Sequence, residues 1–206
     1  LASMLFYVSC ATKPKGSKIS KSEKALMNEK KIADIKTDFV NNITHELKTP
    51  LSTLTLATKM LQKYEKIIDD KKLWGVSNYW ATPIEFIGVN GGDCEDYSIA
   101  KYFTLLELGI ADEKMRITMV KAVKLNQYHM VLAYYETPSA IPLILDNLDG
   151  VIKPANQRND LIPVYSFNAS QLWLNKEKGR GILTGKSSRL KKWRDLRQRL
   201  TTSKLK

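Results

Sequence analysis

The sequence of 206 residues has few of the residue types that build disulfide frameworks and metal centres. Its two cysteines, Cys10 and Cys94, allow at most one disulfide, so no disulfide framework holds the fold. Its two histidines, His45 and His129, lie in no zinc-site spacing. A phosphate-binding glycine loop and a serine nucleophile motif are also absent. These absences leave few residues that can carry chemistry.

The positive charge of the chain is unevenly distributed. The formal net charge is +12, but residues 65–174 carry 10 basic and 14 acidic residues, a net −4. The excess of positive charge lies in residues 1–64, with +6, and in residues 175–206, with +10. A mildly acidic centre between basic ends argues against nucleic acid binding by the core.

The stretch around Cys94 predicts a turn that leads into a helix. Gly91 and Gly92 end the preceding segment, and Asp93 is a favourable N-cap. Apolar residues then recur at helical spacing and stop at a glycine: Ile99, Phe103, Leu106 and Gly109. Cys94 in the first turn would have its thiolate stabilised by the helix terminus, as a nucleophile requires. The alternative is a cysteine that only fills space in the core.

Three acidic residues flank this cysteine: Asp93, Glu95 and Asp96. Their negative charges would raise the pKa of the Cys94 thiol and oppose the effect of the helix terminus. A bound cation would remove this conflict, and clustered carboxylates suit Ca²⁺. They can also be read as charges that stabilise the start of the helix.

A predicted β-hairpin supplies the partners that a nucleophilic cysteine needs. A turn centred on Pro138 and Ser139 would pair Val131 with Asp146. His129 and Asp146 would then be diagonal neighbours on one face, with backbones roughly 7–8 Å apart. The order cysteine, histidine, aspartate fits a nucleophile, a base and a group that orients the base. A core histidine and an aspartate that caps a turn are the alternatives.

About residues 65–200 resemble the bacterial transglutaminase-like cysteine proteinases of the LapG type. The resemblance lies in several runs in order: Leu73-Trp74-Gly75-Val76, Tyr79-Trp80-Ala81-Thr82-Pro83, Gly92-Asp93-Cys94-Glu95-Asp96-Tyr97, Ile99-Ala100-Lys101-Tyr102-Phe103, His129-Met130-Val131-Leu132-Ala133-Tyr134-Tyr135, Leu145-Asp146-Asn147-Leu148 and Pro163-Val164-Tyr165-Ser166-Phe167-Asn168. It implies an α+β fold with a papain/transglutaminase-like core, in which the cysteine-bearing helix packs on an antiparallel sheet. It also implies a Cys94–His129–Asp146 triad and dependence on calcium.

The same resemblance implies a biological setting. The resemblance implies a periplasmic endopeptidase that cleaves a large cell-surface adhesin and so controls biofilm formation. Its implied inhibitor is an inner-membrane receptor for cyclic di-GMP. Acyl transfer to an amine, the reaction of true transglutaminases, is an alternative because the same triad serves both reactions. The oligomeric state is not indicated.

The first 64 residues have a different character. Residues 1–29 are an apolar start and a basic linker, and the apolar residues 1–10 are too few to span a bilayer. This segment can be read as the end of a signal peptide or of a transmembrane helix. The first reading agrees with a periplasmic location, and the second makes membrane association through this segment the alternative.

Residues 30–64 predict a long helical segment ahead of the protease-like residues 65–206. The run Phe39-Val40-Asn41-Asn42-Ile43-Thr44-His45-Glu46-Leu47-Lys48-Thr49-Pro50-Leu51 resembles the phosphoacceptor helix of sensor histidine kinases. This resemblance implies phosphorylation of His45, beside Glu46, and a signalling or dimerisation role is the alternative function. The chain lacks the nucleotide-binding boxes of a kinase, so we expect no autophosphorylation and only a modest loss of stability without residues 1–64.

Further elements follow from local patterns. Alternation over residues 116–123 predicts a half-buried strand, and residues 164–167 predict another. Residues 156–160 and 175–188 are polar or rich in lysine and glycine, which predicts loops. Residues 188–200 predict a basic amphipathic helix that docks onto the protease body through Trp193, with binding to an anionic membrane as the alternative.

Overall fold

The computed structural model describes residues 50–62, 66–175 and 181–203, together with Lys30 as a single helical position. In these ranges the helices are α1 (Pro50–Gln62), α2 (Asp70–Trp74), α3 (Pro83–Val89), α4 (Cys94–Glu107) and α5 (Lys191–Ser203). Short 3₁₀ turns lie at Asp112–Lys114, Ala155–Gln157 and Ser187–Arg189. None of the helices in the described ranges has both the length and the apolar character needed to cross a bilayer.

An antiparallel sheet forms the other layer. Its strands are β1 (Met115–Ala122), β2 (Gln127–Tyr134), β3 (Leu143–Leu145), β4 (Lys153–Pro154), β5 (Leu161–Phe167), β6 (Gln171–Leu174) and β7 (Ile182–Lys186). The strand order is β4-β3-β2-β1-β5-β6-β7. The predicted α+β class and the packing of the cysteine-bearing helix on the sheet are confirmed.

The sequence around α4 determines where the helix begins and ends. The Asp93 side chain accepts a hydrogen bond from the Glu95 N–H, and Asp96 reaches back to the Asp93 N–H, which forms a capping box. At the other end Gly109 takes φ +84°, a conformation that favours glycine. The helix prediction is therefore confirmed at both ends, and Cys94 is its first residue.

The register of the β2–β3 pair is the one that the turn at Pro138 and Ser139 predicts. Leu132 lies opposite Leu145, and Ala133 lies opposite Ile144. Continued by one residue, this register brings Val131 to Asp146, as expected. Because side chains alternate along a strand, His129 and Asp146 project from the same face.

The main core lies between one face of the sheet and helices α1, α4 and α5. Its buried residues come from distant parts of the chain: Leu54, Ala57, Ile99, Tyr102, Leu105, Ile117, Leu132, Phe167, Trp193 and Leu196. Trp193 is fully buried, so α5 docks on the body, as expected. The Trp193 ring packs against three aromatic rings, those of Tyr102, Phe103 and Phe167.

Helix α1 is part of this core and not an appendage. Leu54 is fully buried and Ala57 is 1% exposed, and α1 packs against α4. Truncation of a buried leucine alone typically costs about 2–5 kcal/mol. The expected modest loss of stability without residues 1–64 therefore does not fit this packing, and only residues before Pro50 remain candidates for removal at low cost.

The second face of the sheet is also partly covered. Val120 and Ala122 on β1 join an apolar cluster with Val131 and Ala133 on β2. The alternation predicted for β1 is present, but both faces are apolar in this part of the strand. A β-bulge between Met119 and Val120, where β1 pairs with β5, adjusts the register.

Two predicted loops contain regular structure. Strand β7 lies inside the segment predicted as a loop over residues 175–188. The prediction missed it because it is an exposed edge strand that pairs with β6 and has no apolar alternation of its own. Residues 155–157 form a 3₁₀ turn, and Arg158, in the predicted polar loop, is only 4% exposed. Helix α5 begins at Lys191, three residues later than expected, after the 3₁₀ turn at Ser187–Arg189.

Candidate active site and acidic cluster

Cys94 lies at the N-terminus of α4, where the helix meets β2. Its side chain is partly buried, and the thiol donates a hydrogen bond to the Glu95 carboxylate, with 2.8 Å between Sγ and Oε2. Burial and then the charge of Glu95 raise the pKa of Cys94 well above its ordinary value. The Met130 backbone lowers that pKa through a hydrogen bond but does not offset the increase. Cys94 is therefore a protonated thiol in this arrangement.

His129 and Asp146 form a buried pair on the neighbouring strands. The distance between His129 Nε2 and Asp146 Oδ1 is 2.7 Å, and the two residues are 4% and 1% exposed. Burial alone would raise the pKa of Asp146, but hydrogen bonds from His129, Arg158 and the Leu148 N–H lower it below its ordinary value. An ionised Asp146 accepts only, so Nε2 of His129 carries a proton and Nδ1 is the basic nitrogen.

Met130 connects the cysteine to the histidine. The Ser98 hydroxyl, one turn along α4 from Cys94, donates to the Met130 carbonyl at 2.9 Å. The Met130 backbone also contacts the Cys94 thiol through the hydrogen bond noted above. Because Met130 directly follows His129, these bonds hold the start of α4 against the strand that carries His129. Of the three residues predicted as a triad, His129 and Asp146 are in direct contact, and Cys94 lies against the residue that follows His129.

Arg158 is a residue of this site that sequence reasoning missed. Its Nη2 lies 2.7 Å from Asp146 Oδ2 and 2.8 Å from Asp160 Oδ2. The hydrogen bond with Asp160 and the charges of both carboxylates raise its pKa above the ordinary value, although burial opposes this. In the sequence it is one arginine among polar residues, and nothing there separates it from a solvated one.

A cluster of carboxylates includes two near neighbours of Cys94 in the sequence, Asp93 and Asp96. One oxygen each of Asp70, Asp93 and Asp96 lies within 4.8 Å of the others. Burial, then the charges of Glu95, Asp96 and Asp70, raise the pKa of Asp93 to about 9. Burial raises the pKa of Asp96 to about 7 and also raises that of Asp70. The protein therefore holds these carboxylates together at an electrostatic cost.

Backbone groups fix the three side chains in place. Oδ2 of Asp70 accepts from the Tyr79 N–H at 2.5 Å, and Oδ1 of Asp96 accepts from the Ala81 N–H at 2.7 Å. Gly92 allows the close approach, since a Cβ at this position would lie 2.5 Å from Asp96 Oδ2. Oδ1 of Asp70 is buried and has no hydrogen-bond partner among the described residues. A buried oxygen without a donor fits a cation ligand, and this all-oxygen set suits a hard divalent ion.

The cluster differs in one member from the predicted metal ligands Asp93, Glu95 and Asp96. Asp70 joins Asp93 and Asp96, while the Glu95 carboxylate contacts the Cys94 thiol. Asp70 lies in a separate helix, 23 residues before Asp93 in the sequence, and no spacing rule connects the two. Cys10, His45 and Glu46, and with them the phosphoacceptor prediction, lie outside the described residues.

Comparison with known proteins places this site in a family. The family model for bacterial transglutaminase-like cysteine proteinases (BTLCP) matches residues 27–181. The structure of EGTA-treated Legionella pneumophila LapG matches with a TM-score of 0.70 and 38% identity, and covers 88% of this chain and 97% of that one. Calcium-bound Legionella pneumophila LapG matches with a TM-score of 0.68 and 38% identity, over 85% of this chain and 98% of that one.

A curated relative matches a much shorter part of the chain. Over 37 residues, 18% of this chain, the sequence is 51% identical to the sensor protein RprX of Bacteroides fragilis. The chain spans only 7% of the length of that protein, so the match is no evidence that this chain has that protein's function. The longer matches agree with the helix-borne cysteine and the antiparallel sheet described above. The chain belongs to the bacterial transglutaminase-like cysteine proteinases and is a transglutaminase-like cysteine peptidase.

Proposed function

We propose that the chain is a calcium-dependent endopeptidase that uses Cys94 as nucleophile, His129 as base and Asp146 as the group that orients the base. The observation that carries this proposal is the 2.7 Å contact between His129 Nε2 and Asp146 Oδ1 beside the N-terminus of α4. It leaves Nδ1 of His129 as the nitrogen that can take a proton from the thiol.

The reaction follows from these positions. Cys94 Sγ attacks the peptide carbonyl carbon as its proton passes to Nδ1, and the carbonyl oxygen becomes an oxyanion. The backbone N–H of Cys94 contributes to stabilising that oxyanion. The His129 imidazolium then protonates the leaving amine, and the C–N bond breaks to give an acyl-enzyme. His129 next takes a proton from water as the water oxygen attacks the thioester carbonyl. The C–S bond then breaks, His129 returns that proton to Cys94 Sγ, and the new carboxylic acid leaves and loses its own proton to solvent.

Asp70, Asp93 and Asp96 would hold the calcium ion, and the predicted ligand Glu95 lies one residue from Cys94. Bound calcium supplies positive charge that stabilises the ionised form of these carboxylates. The Glu95 carboxylate accepts a hydrogen bond from the Cys94 thiol and keeps it protonated. Neutralising the neighbouring charges therefore favours the reactive thiolate. The calcium-bound form of Legionella pneumophila LapG supports this assignment.

The proposed substrate is a large cell-surface adhesin, cleaved in the periplasm in the control of biofilm formation. The proposed inhibitor is an inner-membrane receptor that responds to cyclic di-GMP. Both proposals rest on the resemblance of the sequence runs around Cys94, His129 and Asp146 to the LapG type. The 38% identity with Legionella pneumophila LapG over most of the chain supports them.

The test is incubation of the protein with an N-terminal fragment of such an adhesin, with calcium or with EGTA. We expect two defined fragments in calcium and much slower cleavage in EGTA. Cys94→Ala should abolish cleavage while its melting temperature stays near that of the wild type, and retained turnover in a folded Cys94→Ala protein would contradict the mechanism. Mass spectrometry separates the alternative reaction, because acyl transfer to an added amine gives an isopeptide product.

A further inference from the structure

The Arg158 side chain is buried against Asp146. It is 4% exposed and contacts the carboxylate oxygen of Asp146 that does not face His129. Asp146 Oδ1 faces His129 Nε2 and also accepts from the Leu148 N–H at 2.9 Å. Asp146 Oδ2 accepts from Arg158 Nη2 at 2.7 Å. Both oxygens of the carboxylate are therefore fixed by named donors.

This arrangement solves a problem of charge. Asp146 is 1% exposed, and an ionised carboxylate is costly to bury unless it is paired and hydrogen-bonded. A neutral His129 cannot balance the charge, whereas an arginine stays charged at any physiological pH. Without Arg158, Oδ2 would lose the donor Nη2, and the carboxyl group would be free to rotate or take up a proton. Either change weakens its hold on Nε2 of His129.

Asp160 in turn fixes Arg158. The guanidinium donates to it through Nε at 3.0 Å and through Nη2 at 2.8 Å. The Asp160 side chain is 35% exposed, so its own charge remains partly solvated. The Asp160 backbone is tied to the sheet, because its carbonyl accepts from the Val123 N–H at 2.8 Å. Hydrogen bonds thus connect the partly exposed Asp160, through Arg158 and Asp146, to His129.

We propose that Arg158, held by Asp160, is the positioning residue that keeps Asp146 ionised and oriented toward His129. This inference rests on the proposed function, since it assigns a role within the proposed triad. Because Arg158 is only 4% exposed, we expect it to make no contact with the substrate, and its loss should lower kcat and leave KM nearly unchanged. Loss of an outer hydrogen-bond partner costs about 10–100-fold in comparable metal sites, and we expect a decrease of that size in kcat for Arg158→Gln.

The kinetic test compares four variants in cleavage of the adhesin fragment in calcium. Arg158→Gln should show the full decrease, and Arg158→Lys should recover part of it, because lysine keeps the charge but not the fork that reaches two carboxylates. Asp160→Asn should lower kcat by less than Arg158→Gln does, since it weakens only the support of Arg158. The matched control Arg194→Gln, whose side chain is 56% exposed, should equal the wild type.

A second measurement needs no substrate. The chain has only two histidines, so ¹⁵N-histidine labelling gives two imidazole spectra, and His45→Gln assigns them. We expect a hydrogen-bonded Nε2–H signal from His129 in the wild type. It should shift or broaden in Arg158→Gln and in the milder Asp160→Asn, but not in Arg194→Gln. A purely structural role would lower the melting temperature without changing this signal.

The outcomes separate the two proposals. Full activity in folded Cys94→Ala overturns the proposed function, whatever Arg158 does. Loss of activity in Cys94→Ala, with wild-type kcat and an unchanged His129 signal in Arg158→Gln, overturns only the role of Arg158. If Arg158→Gln does not fold, Asp160→Asn decides: a wild-type kcat and spectrum in that variant overturn the proposal, and reduced kcat with a shifted signal supports it.

Discussion

Two groups of carboxylates belong to the proposed site, and their pKa values are shifted in opposite directions. Asp146 is paired with the Arg158 guanidinium and with His129, and its pKa is lowered. Asp70, Asp93 and Asp96 lie together, and burial raises their pKa values. One group therefore receives its positive charge from the chain itself, and the other is built for a charge from outside.

This difference assigns different duties to the two sides of the site. The charge at Asp146 is permanent, as a group that orients the base in every catalytic cycle requires. If the aspartate cluster binds calcium as proposed, its charge balance would depend on the calcium concentration, and that part of the site could respond to the surroundings. A peptidase with this arrangement would hold its base ready at all times and have its nucleophile regulated by an ion.

The largest expected loss of activity comes from Asp146→Asn, which removes the permanent charge at this position. An asparagine keeps the shape but loses the charge, and it can favour the wrong tautomer of His129. By analogy with the serine triad, we expect kcat to fall by up to about 10⁴-fold. Cleavage of the adhesin fragment in saturating calcium measures this loss. A loss of less than about tenfold would show that Asp146 is not the group that orients the base.

If Asp70, Asp93 and Asp96 bind calcium, calcium should raise the stability of the protein as well as its activity. A ligand that binds only the folded state adds about 2.7 kcal/mol at 100 times its Kd. For a protein of this size that is about 5–10 °C in Tm. Thermal melts in EGTA and in calcium measure the difference, with magnesium as the matched control ion. Absence of calcium binding in calorimetry at millimolar concentration would leave the three aspartates with a capping role only.

Removing one charge from the cluster should separate its two effects. Asp70→Asn keeps an oxygen to accept from the Tyr79 N–H but removes the repulsion with Asp93 and Asp96. We therefore expect a higher Tm in EGTA, by a few degrees, and a weaker response to calcium. Asp195→Asn is the control. This side chain lies on α5, is 50% exposed and pairs with Arg194. Equal calcium responses in Asp70→Asn and the wild type would remove Asp70 from the ion site.

A further expected effect is the pH dependence of the calcium-free protein. The pKa of Asp93 is about 9 in the folded state and about 3.9 in an unfolded chain, so the folded state binds more protons between these values. Stability then falls as pH rises through this window, and the pKa of about 7 at Asp96 adds to the slope below neutrality. Melts in EGTA from pH 5 to 8 should show a falling Tm, and the fall should be smaller in calcium. A calcium-free Tm that rises with pH relative to the calcium-bound Tm would contradict the raised pKa values.

Local patterns predicted much of the site because its key residues obey local rules. Asp93 caps a helix, and a turn at Pro138 and Ser139 sets the register that brings His129 to Asp146. Arg158 and Asp70 were missed because their partners are distant in the chain and only the tertiary fold brings them together. Strand β7 was missed because an exposed edge strand owes its structure to the pairing with β6, not to its own pattern.

The burial of Trp193 has a consequence for which part of the chain can fold alone. This ring lies in the main core, against Tyr102 and Phe167, yet it belongs to a helix that follows the seven described strands in the chain. A chain that stops at Leu190 keeps the local pairing of β1 with β2 but lacks the side chain that fills the core. We expect such a chain to unfold without a cooperative transition.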